Sequence, residues 1–302
     1  MADGERGSRD PLGGVFVATA ALLFGGVVVV GKTEAVQAIP VPTMLAIRFA
    51  VAALALAAII TTSRGSLRPA ARESRWLLLL GGAFYATEAT FFFLALGRGT
   101  IATVTLLFYT YPVLVTVLTA IVGLGVPGLL VVGSLVAAVG GAGLVITSSG
   151  GLDISAAGIA FAFASAVTFS VYLITADQTV KRTRPLVSAM WVSGSAAASL
   201  ALYSIVSGTG EIPRGIALLS VGAMGALTAG AFAFLFLGLR RIGAVRTSIV
   251  ASLEPVAAAF LGFAFLGEGL RAGVLAGGLL ILAGAIAASM ARGVPDPERA
   301  VP

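Results

Sequence analysis

The chain has 302 residues, 58% of them hydrophobic and only 11% charged, with a mean hydropathy of +1.05 and a formal charge of +6. A soluble domain carries about 25% charged residues, so 19 Lys and Arg with 13 Asp and Glu are too few to cover a water-facing globule of this length. Cysteine and histidine are both absent, which excludes disulfides, thiolate nucleophiles, the usual zinc ligand and an imidazole proton relay.

A membrane-spanning helix needs about 20 apolar residues. Apolar runs bounded by Gly, Pro and charge predict ten spans, at 12–31, 42–62, 76–97, 100–122, 128–148, 155–176, 186–207, 215–239, 244–266 and 271–290. The fold class is therefore an all-α membrane protein, because these runs are about twice the length of a barrel strand and open sheet edges are not tolerated in lipid. The first run follows Arg6 and Arg9 and precedes a cleavage-like Val36-Gln37-Ala38. It is longer than a signal-peptide core of roughly 7–15 residues, and it is read as a retained helix. Residues 1–11 and 292–302 are left as tails.

Placing the N-terminus in the cytoplasm puts thirteen cations in the inside segments: Arg6, Arg9, Arg64, Arg68, Arg72, Arg75, Lys181, Arg182, Arg184, Arg240, Arg241, Arg292 and Arg299. The outside segments then hold four, Lys32, Arg98, Arg214 and Arg271. This bias predicts cytoplasmic termini. The net charge thus reports topology and contact with anionic lipid. Nucleic acid is not an expected partner, because no exposed basic segment with interleaved aromatics is present.

An offset of 143 superposes Gly82, Phe91, Phe93, Leu96, Arg98, Pro112 and Gly141-Ala142 on Gly225, Phe234, Phe236, Leu239, Arg241, Pro255 and Gly284-Ala285, and an offset of 144 brings Gly14 and Ala18 onto Gly158 and Ala162. Two five-helix repeats follow, residues 12–150 and 151–291. Since five is odd, the second copy enters the membrane in the opposite sense, as an inverted repeat.

Pro112 and Pro255 fall mid-way along the fourth and ninth spans at equivalent depth. Each removes a helical hydrogen bond and predicts a kink, read as a hinge at a central cavity. Helical spacing gathers polar and aromatic groups around them. These are Thr105, Tyr109 and Tyr111 on helix 4, and Ser248, Ser252 and Glu254 on helix 9. Helix 3 adds Tyr85, Glu88 and Phe92, helix 8 Thr228 and Phe232, helix 6 Ser165, Thr168 and Tyr172, and helix 1 Phe24. Lipid would reject the hydroxyls and carboxylates, so this set is expected to face a cavity suited to a small amphipathic solute. The competing reading is that the hydroxyls bond within their own helices or join neighbouring helices.

Glu88 and Glu254 are intramembrane carboxylates, functional candidates by default. One reading makes them carriers of a coupled proton; the other makes Glu88 a structural partner of Arg48 at similar depth. Arg246 is expected to extend towards the interface, and Lys32 with Glu34, Asp177 with Lys181 and Glu268 with Arg271 to form interfacial pairs or caps. Gly133, Ala137 and Gly141 with Gly273, Gly277 and Gly284 make small-residue faces that either seal the two halves or form a homodimer surface. No phosphate loop, metal set or nucleophile elbow is present, so neither an enzyme nor a cofactor is expected.

Ile47-Arg48-Phe49, Phe24-Gly25 followed by Lys32, Ser252-Leu253-Glu254-Pro255 followed by Leu266-Gly267-Glu268, and Leu279-Leu280-Ile281-Leu282-Ala283-Gly284 resemble the EamA-type proteins of the drug/metabolite transporter superfamily over about residues 12–290. In the first half Tyr111-Pro112 stands where the second has Glu254-Pro255, and Phe24 replaces a frequent Trp. The overall look is closest to YddG-like exporters of aromatic and other neutral amino acids. The resemblance implies a bacterial inner-membrane transporter with a central cavity, working by alternating access. Its implied partners are a small-molecule substrate and the lipid bilayer. The alternatives are an exchanger of phosphorylated or nucleotide sugars in the same superfamily, a passive channel, and an intramembrane lipid-modifying enzyme using Glu88 and Tyr85.

Overall fold

The computed structural model describes residues 10–31, 33–99, 101–149, 154–266 and 272–290. Lys32, Glu268 and Arg271 lie outside the described residues. In chain order the helices are α1 (Pro11–Gly31), a short α2 (Glu34–Gln37), α3 (Val41–Thr62), α4 (Ser74–Leu79), a π-helical turn (Leu80–Tyr85), α5 (Ala86–Leu96), α6 (Ile101–Phe108), α7 (Tyr111–Ile121), α8 (Leu129–Ser149), α9 (Ala156–Thr179), α10 (Pro185–Val206), α11 (Ile216–Ala251), α12 (Glu254–Leu266) and α13 (Ala272–Met290). Among the described residues, six helical stretches are long and apolar enough to cross a membrane: Pro11–Gly31, Val41–Thr62, Ser74–Leu96, Ala156–Thr179, Pro185–Val206 and Ile216–Ala251. The chain is a multi-pass membrane protein.

The burial pattern is that of a protein whose solvent is lipid. Leu54, Ile121, Leu129, Leu219 and Phe265 are exposed, while Ser165, Ser170, Ser193, Thr228, Thr247 and Ser248 are buried. Several hydroxyls are satisfied within their own helix. Thr116, Thr168, Ser170 and Thr228 each donate to the carbonyl four residues back, the arrangement that lets Ser and Thr sit in an apolar helix.

Two expected spans are discontinuous, and one pair is fused. The fourth is divided into α6 and α7 at Tyr109-Thr110, and the ninth is divided at Ser252-Leu253 before α12. The first part of the ninth continues from the eighth as α11, whose 36 residues would run about 54 Å if straight, against a hydrocarbon core of about 30 Å. The resolution is Gly243, where φ is 73° and ψ is 171° and the helix folds back. A side chain would oppose that left-handed φ. Across the fold, Asp177 of α9 accepts a hydrogen bond from the Ala244 amide. It therefore caps the returning helix, one of the two roles expected for it, and Lys181 interacts with it electrostatically.

Pairings between helices repeat when the halves are exchanged. α1 packs on α11 as α9 packs on α5, α1 on α12 as α9 on α7, and α3 on α11 as α10 on the π-helical turn; α3 with α10 and α8 with α13 pair across the exchange. The detail repeats too. Phe16 and Phe234 have centroids 5.9 Å apart, and so have Phe161 and Phe91. Arg241 sits over Phe16 at 5.4 Å and Arg98 over Phe161 at 5.0 Å. A two-repeat architecture with matched packing produces such pairs.

Close packing identifies what the glycines do. A Cβ on Gly141 would meet the Gly277 carbonyl oxygen at 2.5 Å and the Ile281 amide nitrogen at 2.9 Å, and one on Gly284 would meet the Ser134 carbonyl oxygen at 2.7 Å. Around Gly141 and Gly284, α8 and α13 therefore seal against each other within one chain. Gly133 is exposed, with open space where a Cβ would stand. At Gly81 a Cβ would strike the Val192 carbonyl and Ser195 Oγ of α10, and Ser195 Oγ donates back to the Leu77 carbonyl at 3.3 Å. A side chain inserted into the helical ladder in this way is a recognised cause of a π bulge.

On one end of the bundle, Glu73 fastens the α3–α4 connection to the α9–α10 connection. Its carboxylate accepts from the amides of Lys181 at 3.0 Å, Arg182 at 2.7 Å and Thr183 at 2.8 Å, and from Thr183 Oγ1 at 2.5 Å. Burial alone would push this carboxyl up; the bonds from Thr183, Arg182 and Lys181 outweigh it and hold the group below its ordinary value of 4.5. Ala70 N donates to Thr183 Oγ1, Trp191 Nε1 to the Leu67 carbonyl and Arg240 to the Thr183 carbonyl.

Candidate functional site

Both helix breaks follow from proline chemistry. A proline lacks the N–H that would bond the carbonyl four residues back, and its ring presses on that carbonyl. For Pro112 that residue is Phe108, and for Pro255 it is Ala251, the last residues of α6 and α11. The chain crosses each gap in a tight turn: Thr110 has φ −74° and ψ −14°, and Ser252 has φ −62° and ψ −2°. Both prolines lie at the start of the helix that follows, where a fixed φ and a missing donor are tolerated.

Between the breaks lies a continuous cluster of aromatic rings. Tyr85 is its hub, with centroids 5.4 Å from Phe49, 4.9 Å from Phe232, 5.3 Å from Tyr172 and 6.4 Å from Phe169. Phe24 extends it edge-on from Phe232 at 5.8 Å. On the other side Tyr111 meets Phe169 at 4.9 Å, Phe108 at 5.1 Å and Tyr109 at 5.8 Å. Phe92 joins only at the periphery, through Phe108 at 5.2 Å, and packs with the satellite cluster around Ala95, Val104 and Ala162.

Polar groups are set into this apolar mass. Arg48 is 7% exposed; its Nε donates to Thr228 Oγ1 at 2.7 Å, and its guanidinium carbon stands 4.9 Å from the Phe49 centroid. Tyr85, Glu88 and Glu254 all interact with it electrostatically. Glu88 is buried and accepts from Ser165 Oγ at 3.0 Å, so the expected Arg48–Glu88 pairing is electrostatic and not a direct ion pair. The Tyr109 hydroxyl neighbours the Glu254 carboxyl without ordinary hydrogen-bond geometry. Tyr111 donates to the Ser248 carbonyl at 3.3 Å, while its own carbonyl accepts from Ser170 Oγ at 3.2 Å. The Tyr172 and Thr247 hydroxyls are buried without a protein partner.

Of the sequence-derived set, the structure gathers Phe24, Tyr85, Glu88, Tyr109, Tyr111, Tyr172, Thr228, Phe232 and Glu254 around one centre. Ser252 is buried in the second break. Thr168 is half-buried, and its hydroxyl donates to the Ala164 carbonyl in its own helix. The ring cluster takes in its neighbour Phe169, and an offset of 145 would have found it. That offset, which also relates Phe16 to Phe161, pairs Phe24 with Phe169. Phe49 and Phe108 were missed because an aromatic in an apolar run carries no signal of facing inward.

Two copies of one family model match the chain: the EamA-like transporter family at residues 11–147 and again at 156–290. None of the curated proteins compared with it matches. Among 29 matching chains of known structure, one crystal structure is 22% identical over 92% of this chain and 96% of its own, with a TM-score of 0.80. That likeness shows the fold.

Proposed function

The chain belongs to the EamA-like transporter family, and from that premise we propose that it exports aromatic and other neutral amino acids, or related small metabolites, across a bacterial inner membrane. The observation that carries this reading is the buried ring cluster with Arg48, Glu88 and Glu254 set into it. The rings offer a surface for an apolar side chain, and the charged groups offset the cost of removing a zwitterion from water. In this reading ten spans form two inverted five-helix repeats with both termini cytoplasmic, and access alternates between the two faces. The matched pairings of the halves support it.

Transport is tested by counterflow into liposomes with labelled phenylalanine, threonine and a sugar phosphate. Saturable exchange of phenylalanine and not of the sugar phosphate is expected. Exchange of the sugar phosphate alone would replace this reading with the exchanger alternative, and conductance without saturation would indicate a channel.

The two breaks act as hinges in the same reading. Pro112→Ala and Pro255→Ala each remove a penalty of about 3 kcal/mol against a continuous helix, a shift of roughly two powers of ten in an equilibrium between bent and straight forms. Exchange is expected to slow by tenfold or more (about 10- to 100-fold) in each variant, while protein yield in detergent stays normal. Unchanged rates in both variants would remove the hinge role.

A further inference from the structure

The Arg48 guanidinium is a buried charge at the centre of the bundle. Thr228 Oγ1 donates to the Met224 carbonyl at 2.7 Å and accepts from Arg48 Nε at 2.7 Å, so the hydroxyl is oriented by its own helix and in turn fixes the guanidinium plane. Phe49 supports that plane from α3. Tyr85 and Thr228, which the offset of 143 makes equivalent, both reach it, the Tyr85 hydroxyl as a hydrogen-bonding neighbour and Thr228 Oγ1 through Nε. Among the described residues no carboxylate approaches Arg48 within 4.0 Å.

A guanidinium held by Nε presents its terminal Nη1–Nη2 edge as a rigid two-pronged donor, the geometry that matches a carboxylate. A lysine could not do this, nor could an arginine already engaged with Glu88. Glu88 and Glu254, from α5 and α12, provide the opposite charge within electrostatic range.

We propose that Arg48 is the residue that receives the substrate's carboxylate, on its Nη1–Nη2 edge beside the Tyr85 hydroxyl, while Glu88 and Glu254 face its ammonium and the rings around Tyr85 receive its side chain. The assignment rests on the amino-acid export reading and narrows it. The solutes carried are amino acids with a free carboxylate, and the corresponding amines, amides and esters are poor substrates. A site built around a charged hydrogen bond discriminates strongly against an analogue that leaves its donors unpaired.

The test is counterflow of labelled phenylalanine in liposomes, with phenylalanine, phenylalaninamide, phenylalanine methyl ester and phenethylamine as competitors. In the wild type the acid is expected to compete about 10- to 100-fold better than the other three. Arg48→Gln should raise the KM for phenylalanine by a similar factor and bring the acid-to-amide ratio close to one, and Arg48→Lys should restore part of both. A merely structural arginine would change the rate without changing that ratio.

If phenylalanine exchanges in the wild type but the amide competes as well as the acid, the role of Arg48 is overturned and the transport reading stands. The same holds if Arg48→Gln keeps the wild-type ratio. Should Arg48→Gln fail to fold, the wild-type ratio and Arg48→Lys decide. If the wild type exchanges no amino acid, the transport reading falls and this assignment falls with it.

Discussion

Truncating Glu73 to alanine is expected to lower the stability of the protein in detergent by about 2–4 kcal/mol, since a buried donor left without its acceptor loses about 1–3 kcal/mol. Three amides and one hydroxyl converge on this carboxylate, and water at the rim of the bundle can replace only part of what they lose. Glu73→Gln is expected to be scarcely better, because its amide NH2 would point a donor at donors. The sign of the pH dependence follows from the depressed pKa. A carboxyl lower in the folded state than in the unfolded chain stabilises at pH values above its unfolded pKa, and that contribution fades as pH falls through the folded one. Melting temperatures of wild type and Glu73→Gln, measured from neutral pH downwards, should therefore converge under acid conditions. A constant gap across that range would show that the ionised form has no special part in the joint.

The second large effect is expected at the seal between α8 and α13. Leucine at Gly141 or Gly284 must drive backbone from backbone, because the obstructing atoms include the Gly277 and Ser134 carbonyl oxygens. Overpacking of this kind ordinarily destabilises by about 1–3 kcal/mol, and occasionally more. Here the nearest obstructing atom is backbone at both positions and no side-chain rotation moves it, so the upper end is expected for each. One separation of the helices relieves both clashes, so the double variant should be much less destabilised than the sum of the singles. Gly133→Leu, facing open space on α8, is the control and should melt like the wild type. Additive effects, or a destabilised Gly133→Leu, would show that the two helices do not meet as described.

Much of this architecture was legible in the chain because the constraints are local. Runs of apolar residues separated by Gly and Pro locate the helices, and Pro112 and Pro255 locate their breaks through the carbonyl four residues back. Glu88, Glu254 and Arg48 announce themselves as ionisable groups in apolar runs. What was not legible depends on tertiary structure. The Glu73 joint spans more than a hundred residues of sequence and uses backbone amides, which leave no side-chain signature. The fold at Gly243 is hidden because nothing in the sequence marks which glycines take a left-handed φ; among the described residues Gly123, Gly125, Gly208 and Gly215 do so as well. The place of Phe169 in the ring cluster depends on a one-residue difference in register between helices related by the repeat, which small apolar residues do not reveal.

The Glu73 joint also breaks the equivalence of the two halves. The offset of 143 sets Ile216 opposite it, an exposed aliphatic residue at the start of α11. An arrangement in which the halves exchanged geometries would have to form without these four bonds on the opposite face. In the alternating-access reading proposed above, the two arrangements would thus be unequal in free energy even though their helix pairings match, with the balance weighted towards the one in which Glu73 is engaged. A substitution at residue 73 would redistribute that balance from a point remote from the aromatic centre.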